Sequence, residues 1–119
     1  MASILVIDDD TTVTEKLGTL LSEAGNEVTT ADNGKAALKL LAREHFDVVI
    51  TDIVMPEADG FEVIRHLIGR TRRPRIIAMT GDTDRLDHIM LSRVARCMSV
   101  NQVLHKPFSD QDLMASIAG

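Results

Sequence analysis

Residues 48–60, VVITDIVMPEADG, constrain this chain more than any other stretch. Val48, Val49 and Ile50 form an unbroken apolar run, the pattern of a strand buried on both faces rather than one with a wetted side. Thr51 extends the run and Asp52 closes it. The loop that follows holds Met55-Pro56 and Asp59-Gly60. Proline fixes its own φ and glycine admits positive φ, so no helix passes through this loop unbroken. In open parallel sheets, ligands gather just outside the carboxyl ends of the strands. Asp52 stands at such an end.

Four more segments read as strands. Ile4-Leu5-Val6-Ile7 stops at Asp8-Asp9-Asp10, residues 27–31 stop at the turn signal Asp32-Asn33-Gly34, RIIAMT stops at Thr80, and residues 102–105 stop at Lys106. Helical spacing fills the gaps. Val13, Leu17, Leu20 and Leu21 share a face of a helix that Asp10 or Thr11 caps and Gly25 ends. A second helix over residues 35–45 turns Ala37, Leu38, Leu40 and Leu41 inward, and a third over residues 60–69 turns in Phe61, Ile64, Leu67 and Ile68. A fourth, from about residue 83 to 98, presents Leu86, Ile89, Met90, Val94 and Cys97, and Ser109 caps a short last helix with Leu113 and Ile117 inward. Five β-α repeats predict an α/β, flavodoxin-like (βα)5 domain spanning residues 1–119. Its five-stranded parallel sheet takes the order 2-1-3-4-5, with helices on both faces. The switch point of that order lies between strands 1 and 3, which end in Asp8-Asp9 and Asp52.

Composition narrows the function. With a net charge of −5, three aromatic residues and no basic stripe, the chain is not expected to bind nucleic acid directly. No apolar run reaches membrane-spanning length, and residues 1–10 lack a basic stretch ahead of an apolar one. A single cysteine, Cys97, precludes an internal disulfide. A cytoplasmic protein is the expectation.

The strand ends carry chemistry. Asp8, Asp9 and Asp52 pushed together repel one another and raise one another's pKa. A divalent cation and the ammonium of Lys106 relieve this. Oxygen-only ligands in an incomplete cage suit Mg²⁺, which keeps waters and accepts phosphate oxygens. A carboxylate beside Mg²⁺, a lysine and the Thr80 hydroxyl constitutes a phosphoryl-transfer site with Asp52 as nucleophile. Thr80 donates to a phosphoryl oxygen, and the added charge draws it inward.

Over its full length the chain resembles the receiver domain of two-component response regulators, through ILVIDDD, VVITDIVMPEADG, the strand ending AMTG, and HKPF. The resemblance implies that Asp52 is the phosphoacceptor. It implies that Asp9 binds Mg²⁺ directly, Asp8 largely through water, and the Val54 backbone carbonyl completes the metal site. Thr80 becomes the switch hydroxyl, and Lys106 the phosphate-binding lysine, followed by Pro107 in what is often a cis peptide. The phosphoryl donor is a phosphohistidine on a sensor histidine kinase or phosphotransfer protein. Such a domain is a signalling phosphoacceptor, not an enzyme beyond its own phosphorylation and dephosphorylation. Its output passes to a partner or an output domain, and a phosphorylation-linked homodimer is compatible with it. The sequence ends at Gly119 after a short helix, so a stand-alone receiver and one cut from a longer protein are both open.

The chain departs from the family in three places. Val103 stands where an aromatic usually rotates inward with the switch threonine. Ser99-Val100 replaces the common Gly-Ala pair before strand 5. The segment between Thr80 and Lys106 is several residues longer than is typical, which predicts an extended fourth helix or an enlarged loop after it.

Alternative functions leave residues unexplained. Asp8-Asp9-Asp10-Thr11-Thr12-Val13 fits the DxDxTV pattern of haloacid-dehalogenase-type phosphatases, with Asp8 as nucleophile and Asp10 as general acid. That reading gives the Asp52 loop no role and lacks a later acidic motif. A receiver-fold interaction module that is never phosphorylated leaves the acidic set and Lys106 idle. Flavin binding lacks a phosphate-cradling loop and a stacking aromatic. In the receiver reading, Val54 and Asp82 flank the phosphate and set its lifetime. Val54 orients no water, so self-dephosphorylation is expected to be slow. Decay of the phosphorylated protein should outlast seconds and shorten when Val54 is replaced by a polar residue.

Overall fold

The computed structural model describes residues 1–53, 60–81 and 100–119, with the backbone alone for residues 60 and 61. The expectations for Val54, Asp82, Cys97 and Ser99, for the side chain of Phe61, and for the helix over residues 83–98 lie outside the described residues.

Among the described residues the elements run β1 (Ser3–Ile7), α1 (Thr11–Glu23), β2 (Glu27–Ala31), α2 (Gly34–Arg43), β3 (Val48–Asp52), α3 (Gly60–Ile68), β4 (Arg75–Thr80), β5 (Gln102–His105) and a C-terminal helix (Asp110–Ala118). All pairings are parallel and the order is β2-β1-β3-β4-β5. This is the flavodoxin-like arrangement expected from the sequence.

The period of two along a strand sorts the core into two layers. Leu5 and Ile7 pack with Ala37, Leu41, Ile64 and Leu67 on the α2–α3 side. Ile4 and Val6 pack with Leu17, Leu21 and Leu113 on the side of α1 and the C-terminal helix. β3 divides in the same way, Val49 on one side and Val48 and Ile50 on the other. All five of its residues are buried, so the apolar run does mark a strand covered on both faces.

Caps set the helix boundaries. Asp10 accepts from Thr12 N–H, Asn33 from Ala36 N–H and Ser109 from Asp112 N–H. Gly25, at φ 92°, leads the chain out of α1 in a conformation that a side chain would strain. α2 runs Gly34–Arg43, starting one residue before the expected helix and ending two before it. The Asn33 cap fixes its start.

Two helix faces bury a hydroxyl residue beside the apolar ones expected from the sequence. On α1, Val13 packs half-buried against the core, and Thr14 beside it is buried, its hydroxyl satisfied by the Thr11 carbonyl at 3.1 Å. On the C-terminal helix Ile117 packs half-buried against the core with Leu113, and Ser116 is buried as well, its hydroxyl satisfied by the Leu113 carbonyl at 2.6 Å. Between α3 and β4, the Arg70 guanidinium donates to the Leu41 carbonyl near the end of α2.

Replacing Ile50, fully buried on the central strand, with Ala should cost about 2–5 kcal/mol. Leu38→Ala, at a half-buried position, should cost clearly less. The chain has no Trp or Tyr, so urea unfolding followed by far-ultraviolet circular dichroism is the appropriate measurement.

Candidate functional site

β1 and β3 are neighbours in the sheet, with Ile7 opposite Thr51, so the residues that follow them emerge at one mouth. Asp8 is fully buried there and Asp52 is 7% exposed, while Asp9 lies at the exposed edge. One carboxylate oxygen from each of Asp8, Asp9 and Asp52 lies within 4.8 Å of the others. Two stretches far apart in sequence thus supply one acidic cluster.

β5 brings in the counter-charge. Lys106 follows its last residue, and Lys106 N–H donates to the Thr80 carbonyl at 2.7 Å, which extends the β4–β5 pairing by one bond. Its Nζ reaches back 2.6 Å to Asp8 Oδ2 and 3.3 Å to Asp52 Oδ2. The other oxygen of Asp8 accepts from Asp10 N–H at 2.9 Å. Both Asp8 oxygens are therefore engaged, one by the ammonium and one by the loop that leads into α1. The Lys106-Pro107 peptide is cis.

These charges shift one another. At the crevice, Asp9 has its carboxyl pushed up, first by partial loss of water and then by the hydrogen bond and charge of Asp8. Burial draws the Lys106 ammonium down, but its hydrogen bond to Asp8 and the charges of Asp52 and Asp8 outweigh it, and the net direction is up. Three carboxylates and one ammonium leave an excess of negative charge that a single divalent cation cancels. All the donors are hard oxygens, so the set fits Mg²⁺ rather than a metal that prefers nitrogen or sulfur.

Thr80 closes β4, fully buried, and its hydroxyl lies 2.9 Å from His105 Nδ1. The sequence reading gave His105 no role. The signal was there in the strand register, which pairs Thr80 with His105. Val103 packs half-buried against the α2–α3 side of the core. Asp10, the general acid of the phosphatase alternative, turns its carboxylate to Thr12 N–H at 2.9 Å, and Asp52, which that alternative leaves idle, stands in the cluster. Val54 and Asp82 lie outside the described residues.

Comparison with known proteins bears on the family and the fold. The sequence profile of the response regulator receiver domain matches residues 4–118. The Haemophilus influenzae transcriptional regulatory protein CpxR homolog is 32% identical over 117 residues, covering 98% of this chain and 49% of the relative. The probable transcriptional regulator ycf27 of Porphyridium aerugineum is 36% identical, covering 96% of this chain and 45% of that one. The chain thus spans about half the length of the curated relatives it matches. Among solved structures, a Clostridium thermocellum receiver domain superposes with a TM-score of 0.88 at 33% identity, covering 99% of this chain and 92% of that one. The chemotaxis response regulator CheY4 of Vibrio cholerae gives 0.87 at 28% identity, covering 99% and 97%. Among the described residues, no helix is long and apolar enough to cross a membrane.

The shifts fix a pH response. Asp9 keeps its proton in the folded chain at pH values where the unfolded chain has lost it. Its contribution to stability is therefore present below the unfolded pKa and lost as pH rises through the folded one. Lys106 contributes until pH rises through its own raised value. Because a metal ligand must shed its proton, Mg²⁺ affinity measured by calorimetry should weaken as pH falls, starting above the usual carboxylate range, with proton uptake by Asp9 as the cause. Asp9→Asn should weaken binding and flatten that dependence.

Proposed function

Because the chain belongs to the response regulator receiver domain family, a signalling domain rather than a classical enzyme, we propose that it is switched by phosphoryl transfer onto Asp52. The observation that carries the reading is the position of Lys106 Nζ, within 3.3 Å of Asp52 and bonded to the buried Asp8, in a cluster of three carboxylates. Three carboxylates with a lysine set among them suit a divalent cation together with an anionic phosphoryl group.

Asp52 is the nucleophile. One carboxylate oxygen attacks the phosphorus of a phosphohistidine, the O–P bond forms as the P–N bond breaks, and the imidazole leaves with the electron pair and takes up a proton. Lys106 holds a phosphoryl oxygen and spreads the charge that builds in the transition state. Thr80 donates its hydroxyl proton to another oxygen of the product. Asp9 and Asp52 would hold Mg²⁺ directly and Asp8 through water, since both Asp8 oxygens are already engaged. By the family resemblance the Val54 carbonyl would complete that set. When bound, Mg²⁺ screens the phosphoryl oxygens from the carboxylates. Val54 and Asp82 set the lifetime of the acyl phosphate, Val54 by keeping water away.

The phosphoryl donor is a sensor histidine kinase or phosphotransfer protein in the cytoplasm. The matched relatives include transcriptional regulators about twice as long as this chain, which supports an output domain or a separate output partner. Residues 1–119 act as one receiver unit, and output reaches the partner through the region of Thr80, Val103 and Pro107. With Val103 in place of an aromatic, that output does not run through a ring swing. Phosphorylation-linked dimerisation is part of the proposal.

Acetyl phosphate with Mg²⁺ should label the protein once, and Asp52→Asn should abolish the label as read by phosphate-affinity electrophoresis. Lys106→Met should slow labelling by about 10²-fold. If instead Asp8→Asn alone abolished labelling while Asp52→Asn left it intact, the phosphatase reading would replace this one.

A further inference from the structure

Thr80 and His105 are the last residues of β4 and β5 and face each other in register. Thr80 is fully buried, whereas His105 is exposed on the edge strand. Thr80 Oγ1 and His105 Nδ1 lie 2.9 Å apart, and the Thr80 carbonyl accepts from Lys106 N–H at 2.7 Å. Two consecutive residues therefore hold the threonine, one by its side chain and one by its backbone. Val103, on the same strand, contributes an apolar contact and no polar atom.

A threonine hydroxyl has one proton to give. With the imidazole in the Nε2–H tautomer, Nδ1 accepts that proton, and the hydroxyl is committed to β5. A phosphoryl oxygen at Asp52 requires the same proton. We infer that His105 is a latch on the Thr80 hydroxyl, a positioning residue that holds it against β5 until a phosphoryl group competes it away. The inference rests on the reading of Thr80 as the phosphoryl-binding hydroxyl.

The competition has a definite outcome. A charged phosphoryl oxygen is a stronger acceptor than a neutral imidazole, so the phosphorylated state takes the proton. The latch subtracts the worth of its own bond, which by the usual net value of one hydrogen bond is roughly three- to tenfold in affinity for the phosphoryl mimic. Because the ring lies at the surface, its change of partner when Thr80 leaves carries the state of Asp52 to the outer face of β5. A polar exchange at residue 105 then does what Val103 cannot.

Binding of beryllofluoride with Mg²⁺, measured by calorimetry, tests the latch in four proteins: the wild type, His105→Ala, His105→Gln and His105→Asn. Asn sets its side-chain oxygen near the place of Nδ1, and Gln sets its own near Nε2. The Ala and Gln variants should bind roughly three- to tenfold tighter than wild type, and the Asn variant should remain close to wild type. In parallel, the ¹⁵N resonance of His105 Nδ1 should move on adding beryllofluoride, and also in Thr80→Val without it. Equal affinities in all four proteins, or a ring resonance unmoved by Thr80→Val, would overturn the latch while leaving phosphorylation of Asp52 intact. Beryllofluoride binding that survives Asp52→Asn would overturn the reading of the site, and the latch with it.

Discussion

A fully buried carboxylate held by one ammonium organises this molecule. Asp8 lies in the sheet's mouth with no exposure, and Lys106 Nζ sits 2.6 Å from it. Removing a charge from water is costly unless it is paired and hydrogen-bonded. Here the pairing spans nearly the whole chain, since β1 supplies one partner and β5 the other. The strand order that places β1 and β3 side by side, and the backbone bond from Lys106 to Thr80, are what let the two charges meet. The same lysine lies 3.3 Å from Asp52, so the group that makes the buried acid tolerable also faces the proposed phosphoacceptor.

The arrangement is electrically incomplete. One ammonium does not balance three carboxylates, and the carboxyl pKa of Asp9, raised first by partial loss of water, is raised further by the hydrogen bond and charge of Asp8. Folding stability and ligand binding pull in opposite directions at such a site: the repulsion weakens the empty fold, and a cation or a phosphate with its cation gains from relieving it. A receiver domain is served by this, because the site responds to what arrives. The Thr80–His105 pair lies at the next strand end and extends the same logic from charge to a single shared proton.

Much of this was legible in the chain. β3 could be read from VVIT because a strand covered on both faces has no polar alternation, and Asp52 from its place at the end of that run. The order of the strands followed from five repeats and right-handed crossovers. The parts that were not legible share a cause. Thr14 and Ser116 are buried because each hydroxyl finds a carbonyl within its own helix, which a hydropathy pattern does not register. Arg70 reaches the Leu41 carbonyl through a contact between segments that periodicity cannot foresee. His105 is exposed, and its meaning comes only from the register that sets it against Thr80.

The central claim is that Lys106 is held in place by Asp8 and relieves it in turn. A double-mutant cycle of Asp8→Asn and Lys106→Met, read by urea unfolding without metal, tests it most directly. Losing Lys106 should cost substantially more in the wild-type background than in Asp8→Asn, with a coupling of about 1 kcal/mol or more. If the two changes simply add, to within about 0.5 kcal/mol, the two groups do not depend on each other and the account of the site is wrong.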